Sequence, residues 1–185
     1  VRSCEIGDQG NALEFGMPMG PLRLLDEVGL DVAEHVSHVM VAGYGARMAV
    51  PNFAQQLLAL NRKGRKNAHG FYTYQGTSST PWDGLRAALD LPATPTKSLS
   101  RTELSQRLVY HLVNEAMKCL HENVAGVDQE LAKKQIDLGT VMGIGFPPHR
   151  GGVLYYAERI GLETIRRTLE SFHTHHGVRY AHFPG

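Results

Sequence analysis

The sequence predicts an all-α fold. Proline and glycine punctuate it at helix starts and stops, apolar residues recur at helical spacing, and alternating strand patterns are nearly absent. Pro21 after Gly20 opens a run with Leu22, Leu24, Leu25 and Val28, closed by Gly29. The next run carries Val32, Val36, Val39, Met40 and Gly43 on one stripe, and Pro51 stops it. Asn52 is placed to cap a third run with Phe53, Leu57, Leu58 and Leu60, which Gly64 ends. Residues 64–74 read as a basic turn leading into a short extended aromatic piece. A Pro/Ser/Thr-rich stretch follows, predicted as a linker holding one short helix around Leu85 to Leu89. Ser100 and Glu103 then form a capping box before Leu104, Leu108, Leu112, Ala116 and Leu120, one expected helical face. Further helices are predicted between about Asp128 and Met142, around Val153 to Ala157, and over Leu162, Ile165, Leu169 and Phe172.

Composition bounds function by exclusion. With Lys+Arg 19 against Asp+Glu 18, the charge balance carries no nucleic-acid or membrane-surface footprint. No apolar run approaches the roughly 20 residues of a membrane span. Cys4 and Cys119 make no disulfide framework, which points to a reducing, cytoplasmic location.

The chain also repeats itself. Asp8 precedes Gly16 by the same distance as Asp137 precedes Gly145, and Gly16-Met17-Pro18 matches Gly145-Phe146-Pro147. Gly20-Pro21-Leu22 then parallels Gly152-Val153-Leu154, after a short insertion that holds His149 and Arg150. Asp26 to Leu30 parallels Glu158 to Leu162. A period of about 130 residues is far longer than a solenoid unit and signals two homologous domains. They are expected at 1–78 and 100–185, joined by a linker at 79–99, with the first copy lacking the long opening helix of the second. The stripes of Val32, Val36, Val39 and of Leu162, Ile165, Leu169 are expected to meet in a two-fold contact between the copies.

Three stretches resemble the C-terminal domains of 3-hydroxyacyl-CoA dehydrogenases of the multifunctional fatty acid β-oxidation type. Phe15 to Asp31 reads F-G-M-P-M-G-P-L-R-L-L-D-E-V-G-L-D. Gly64 to Tyr74 resembles that family's G-R-K-x-G-x-G-F-Y-x-Y turn, with Ala68 in place of a glycine. Arg107 to Gly152 carries N-E-A at Asn114 to Ala116, I-D at Ile136-Asp137, and G-F-P-P-x-R-G-G from Gly145. The resemblance implies a helical domain like that of 6-phosphogluconate dehydrogenase, present in two copies. It implies a parent enzyme that oxidises 3-hydroxyacyl-CoA to 3-ketoacyl-CoA with NAD, alongside a possible enoyl-CoA hydratase activity and a thiolase partner subunit. It also implies that the catalytic His, Glu and Asn lie upstream of this chain, in a Rossmann domain and in the missing opening helix.

Gly43-Tyr44-Gly45 and Gly143-Ile144-Gly145 do not continue as the phosphate-binding turn that follows a strand, so no cofactor or metal site is expected here. Met17, Pro18, Met19, Gly20 and Pro21 are the substrate-facing candidates, an apolar loop at a helix start suited to an acyl thioester. The alternative is a rigid turn packed in the core. Arg65, Lys66 and His69 read as a solvated turn, Asn114 as a satisfied buried amide, and the histidines from His173 onward as a helix-end cluster. The rival function is a stand-alone helical module for oligomerisation or acyl-CoA binding, without catalysis.

Overall fold

A computed structural model describes residues 12–92 and 99–184. Asp8, Cys4 and Pro95 lie outside the described residues. The chain divides into two compact units. The first holds residues 1–14 and 19–101, and the second holds residues 15–18 and 102–185.

The first unit contains α1 (Ala12–Phe15), which runs into the second unit at Phe15, then α2 (Pro21–Val28), α3 (Leu30–Tyr44) and α4 (Phe53–Ala59). Pro21 occupies the start of α2, and Gly29 at φ 99° separates α2 from α3, so the predicted punctuation holds here. Asn52 stands at the N-cap position of α4 without a side-chain cap bond. A hairpin follows, β1 (Tyr72–Gln75) against β2 (Ser78–Pro81), antiparallel with Tyr72 opposite Pro81 and Gln75 opposite Ser78. Next comes α5 (Leu85–Ala88). Leu30, Leu57, Phe71, Tyr72, Tyr74 and Leu85 form the core, with Phe53 and Trp82 packed against it. The short helix expected around Leu85 to Leu89 is α5, whereas the first residues of the stretch expected as a linker belong to β2, and Leu85 lies in this apolar cluster with Trp82 packed against it.

The second unit contains α6 (Arg101–His121), α7 (Gln129–Ile144), α8 (Val153–Ile160) and α9 (Leu162–His176). Asp128 caps α7, its carboxylate accepting from the N–H groups of Glu130 and Leu131 at 3.1 Å each. Gly145 closes α7 at φ 70°. The core gathers Val109, Val113, Phe146, Val153, Ile165 and Leu169, and Phe15 joins it. Phe15 meets Phe146 and Tyr156 edge-on, with ring centroids 5.5 and 5.3 Å away. The Arg150 guanidinium lies 4.1 Å from the Phe15 ring centroid and donates through Nε to the Phe15 carbonyl at 2.9 Å.

On α6 the buried apolar positions are Val109, Tyr110, Val113, Ala116 and Leu120, so Ala116 and Leu120 of the predicted stripe lie in the core and Leu112 packs against it, while Leu108 is exposed. Leucines four apart drift across a helix of 3.6 residues per turn, whereas the three-and-four spacing of this set keeps one face. The two predicted valine and leucine stripes have different surroundings. Ile165 and Leu169 are fully buried in the second unit, while Val32, Val36 and Val39 are exposed. Aligned by the repeat, Ile165 and Leu169 correspond to Ala33 and Ser37, so the valines are not their counterparts.

Candidate functional site

The loop at residues 17–21 divides between the units. Met17 is half-buried and packs against the core of the second unit. Pro18 is exposed, its ring lying where a side chain at Gly145 would project, Cγ 2.7 Å from that Cβ position. Met19 is half-buried, Gly20 is buried, and Pro21 is exposed at the first turn of α2. Gly20 accepts from the Leu24 N–H at 2.9 Å, the first bond of that helix. Three of the five loop residues thus belong to the first unit and two to the second.

One turn into α2 stands Asp26, fully buried, which sequence reasoning passed over. Its carboxylate accepts from the backbone N–H of Phe71 at 2.8 Å, the N–H of Tyr72 at 2.9 Å and the Tyr74 hydroxyl at 3.0 Å. Burial pushes the Asp26 carboxyl up, against these bonds and the nearby Arg62 charge. Burial also raises Tyr74, with the Asp26 charge adding to it. Arg62, itself buried, donates to the carbonyls of Gly70 at 2.7 Å and Tyr72 at 3.2 Å, and stacks 3.8 Å from the Trp82 ring centroid.

The glycines of the 64–74 turn follow from this centre. A Cβ at Gly70 would stand 1.9 Å from Asp26 Oδ1, and one at Gly64 would stand 2.4 Å from the Asp26 carbonyl oxygen. Ala68 takes φ 64°, the left-handed region where an L side chain is strained, which is the physical reason a glycine suits that place. The sequence signal for Asp26 was the Asp26-Glu27 pair set between Leu25 and Val28 on an apolar run, of which Asp26 turns inward.

Asp137 does a related job in the second unit. It accepts from the N–H of Leu154 at 2.6 Å and of Tyr155 at 3.2 and 3.3 Å, anchoring the first turn of α8. Burial pushes its carboxyl up, against those bonds. A Cβ at Gly152 would lie 2.4 Å from Asp137 Cβ, so the I-D pair and the G-F-P-P-x-R-G-G run are two halves of one contact.

Neither centre is arranged for turnover. Each carboxylate spends its lone pairs on fixed backbone donors, which orders a turn rather than leaving a base free for substrate. The basic turn is likewise engaged, with Arg65 paired to Glu27 at 2.7 Å and Lys66 to Asp31. Asn114 is fully buried, donating to the Ala181 carbonyl at 2.9 Å and accepting from the Phe183 N–H at 2.8 Å. It is therefore a satisfied structural amide that holds the C-terminal segment. His111 is pushed down by burial and faces the Tyr180 ring edge-on, with Glu115, Lys118 and Arg179 acting on it electrostatically.

A dinucleotide does not fit the described residues. Its pyrophosphate needs a glycine turn between a parallel strand and a helix. Here Gly43 and Gly145 lie at the ends of α3 and α7, and the only described strands form an antiparallel hairpin. No three His, Cys, Asp or Glu among the described residues converge to hold a metal. No described helix is long and apolar enough to cross a membrane.

Comparison with known proteins gives these arrangements a family. The family described as 3-hydroxyacyl-CoA dehydrogenase, C-terminal domain, matches residues 3–74. Fatty acid oxidation complex subunit alpha of Shewanella halifaxensis is 36% identical over 168 residues, covering 91% of this chain and 23% of the relative. The subunit of the same name from Idiomarina loihiensis is 38% identical, covering 93% of this chain and 24% of the relative. This chain thus spans about a quarter of the length of the relatives it matches. Among solved structures, the fold is shared with 3-hydroxybutyryl-CoA dehydrogenase of Escherichia coli K12, at TM-score 0.70 and 21% identity, covering 97% of this chain and 52% of that one. It is shared too with the dehydrogenase part of multifunctional enzyme 1 of C. elegans, at TM-score 0.66 and 23% identity, covering 97% and 40%. Residues 3–74 thus match the family of 3-hydroxyacyl-CoA dehydrogenase C-terminal domains, and the remainder of the chain is matched through the fatty acid oxidation complex alpha subunits.

Proposed function

We propose that this chain is the C-terminal substrate and assembly portion of an NAD-dependent 3-hydroxyacyl-CoA dehydrogenase of fatty acid β-oxidation. In the whole protein, 3-hydroxyacyl-CoA is oxidised to 3-ketoacyl-CoA, with hydride passing to NAD held by residues outside this chain. The observation that carries the reading is the match over 91% of this chain to a subunit of which it is only 23%. The loop at Met17, Pro18, Met19, Gly20 and Pro21 then faces the acyl-CoA. Its half-buried methionines offer apolar contact to the tail, while Gly20 and Pro21 fix the turn. The relatives' name as a complex subunit supports a partner subunit, and the family resemblance makes a thiolase the candidate. Hydratase activity belongs to the same proposal for the rest of the protein, as does a cytoplasmic location.

The test uses the protein that includes its nucleotide-binding half. Met19→Glu there raises KM for 3-hydroxyacyl-CoA about tenfold, the order expected for a charge set against an apolar tail, and leaves NADH affinity unchanged. An unchanged KM removes the loop from the substrate wall. A second reading, a helical oligomerisation module without catalysis, is favoured by the exposed Val32, Val36 and Val39 on α3. Full NAD-dependent turnover by the whole protein excludes it.

A further inference from the structure

A cavity of about 250 Å³ lies in the first unit between α3, α4 and the segment joining them. Glu34 and His38 of α3, Asn52 at the head of α4 and Gln55 within it give its polar lining, with Val41 and Ala54 among its apolar walls. No lysine or arginine lines it. Glu34 lies only 14% exposed, and its Oε1 accepts from Gln55 Nε2 at 2.5 Å and approaches His38 Nε2 at 3.2 Å. Its Oε2 is buried and meets no hydrogen-bond donor among the described residues. Ser37 cannot serve it, because its hydroxyl donates to the Glu34 carbonyl at 2.8 Å. Asp31, one turn earlier, is already paired with Lys66. The cavity therefore presents one buried carboxylate oxygen with a free lone pair, flanked by neutral amides.

We propose that this cavity binds an organic cation, the ammonium or guanidinium head of a small amine or of a lysine or arginine side chain, with Glu34 Oε2 as its acceptor. The chemistry selects that class. A buried anionic acceptor left without a donor is costly, and a cation carrying N–H groups supplies charge and donor together. An anion would meet the Glu34 charge with no lysine or arginine to offset it, the one imidazole of the lining, His38, being already turned to Glu34 Oε1. A divalent metal would lack ligands, since Glu34 is the only carboxylate in the lining and no three acidic, His or Cys residues converge among the described residues. The alkyl stem behind the head would lie along Val41 and Ala54. This inference does not depend on the dehydrogenase reading.

The experiment follows the Glu34 carboxyl carbon and the Gln55 side-chain amide by NMR in the labelled chain. The ligands are n-butylammonium chloride and, separately, Nα-acetyl-lysine methylamide and Nα-acetyl-arginine methylamide. Controls are n-butanol, which has the same stem without charge, and tetramethylammonium chloride, which has charge without a donor. The expected result is saturable shifts at both groups with n-butylammonium, weakened about fivefold or more by Glu34→Gln, the size of one lost charge-assisted bond. Ala54→Leu fills the cavity from its wall, leaves the carboxylate in place, and should also abolish binding. If the blocked amino acids bind at least as tightly, the cation is a side chain of another polypeptide segment; if n-butylammonium alone saturates, it is a free amine. Absence of saturation, equal shifts with either control, or undiminished binding in a folded Glu34→Gln or Ala54→Leu chain overturns the proposal.

Discussion

A carboxylate that receives two backbone N–H groups and a hydroxyl in a dry interior has no isosteric neutral substitute, because an amide can accept through only one of its two arms. Asp26 is in that position. Asp26→Asn turns an NH₂ toward one of those donors and should cost about 2–3 kcal/mol in urea unfolding, the range for leaving a buried donor unmet. The cost has a definite pH dependence. The folded carboxyl titrates above its ordinary value of 3.8. Between 3.8 and that raised value the folded chain therefore holds more protons than the unfolded one, and the Asp26 contribution falls as pH rises through that window. The deficit of Asp26→Asn should accordingly be larger at pH 4 than at pH 7 by about the linkage term; a deficit that shrinks on acidification would place the carboxyl in a different environment. Ala68 makes the opposite case. It pays for a left-handed backbone at φ 64°, so Ala68→Gly should stabilise the chain by about 1 kcal/mol. No gain in the melting temperature would mean that the residue relaxes out of that conformation.

The same logic sets whole elements. Helix α8 begins where it does because Asp137 meets its first N–H groups, and Gly152 lets the two backbones approach. Gly152→Ala places a methyl into Asp137 at a φ of 111° and should cost about 3 kcal/mol, strain and overlap together. Loss confined to a tenth of that would show that α8 is not anchored by this contact. At this scale much was legible in the sequence. Gly20-Pro21 and Gly29 bounded α2, and the stretch expected between about Asp128 and Met142 is α7, which runs two residues further, to Ile144. What was not legible has physical causes. The buried face of α6 passes through Val109 and Val113, whose three-and-four spacing with Ala116 and Leu120 was masked by the more conspicuous row of leucines four apart. Trp82 sits in a Pro- and Ser-rich stretch, and only its contact with distant Arg62 and the first core makes it structural.

Across the molecule, the family resemblance was readable from the ordered motifs, because two of them are close contacts of a carboxylate with glycine turns, Asp26 with Gly64 and Gly70 and Asp137 with Gly152. Asp26, the residue that explains the 64–74 turn, was not read as such, since its partners lie at Phe71, Tyr72 and Tyr74, far along the chain. The loop at residues 17–21, proposed to face substrate, was singled out from sequence alone, and its two methionines are half-buried while Pro18 and Pro21 are exposed. Asp26 and Arg62 hold the 64–74 turn and Asp137 holds the start of α8, which fits the proposed division of labour, with this chain shaping and supporting a reaction whose hydride carrier binds elsewhere. Calorimetric titration of this 185-residue chain with NADH decides that division of labour. The account predicts no saturable heat up to millimolar cofactor, because neither Gly-x-Gly pair follows a parallel strand. Binding in the micromolar range would contradict it and place a dinucleotide site within this chain.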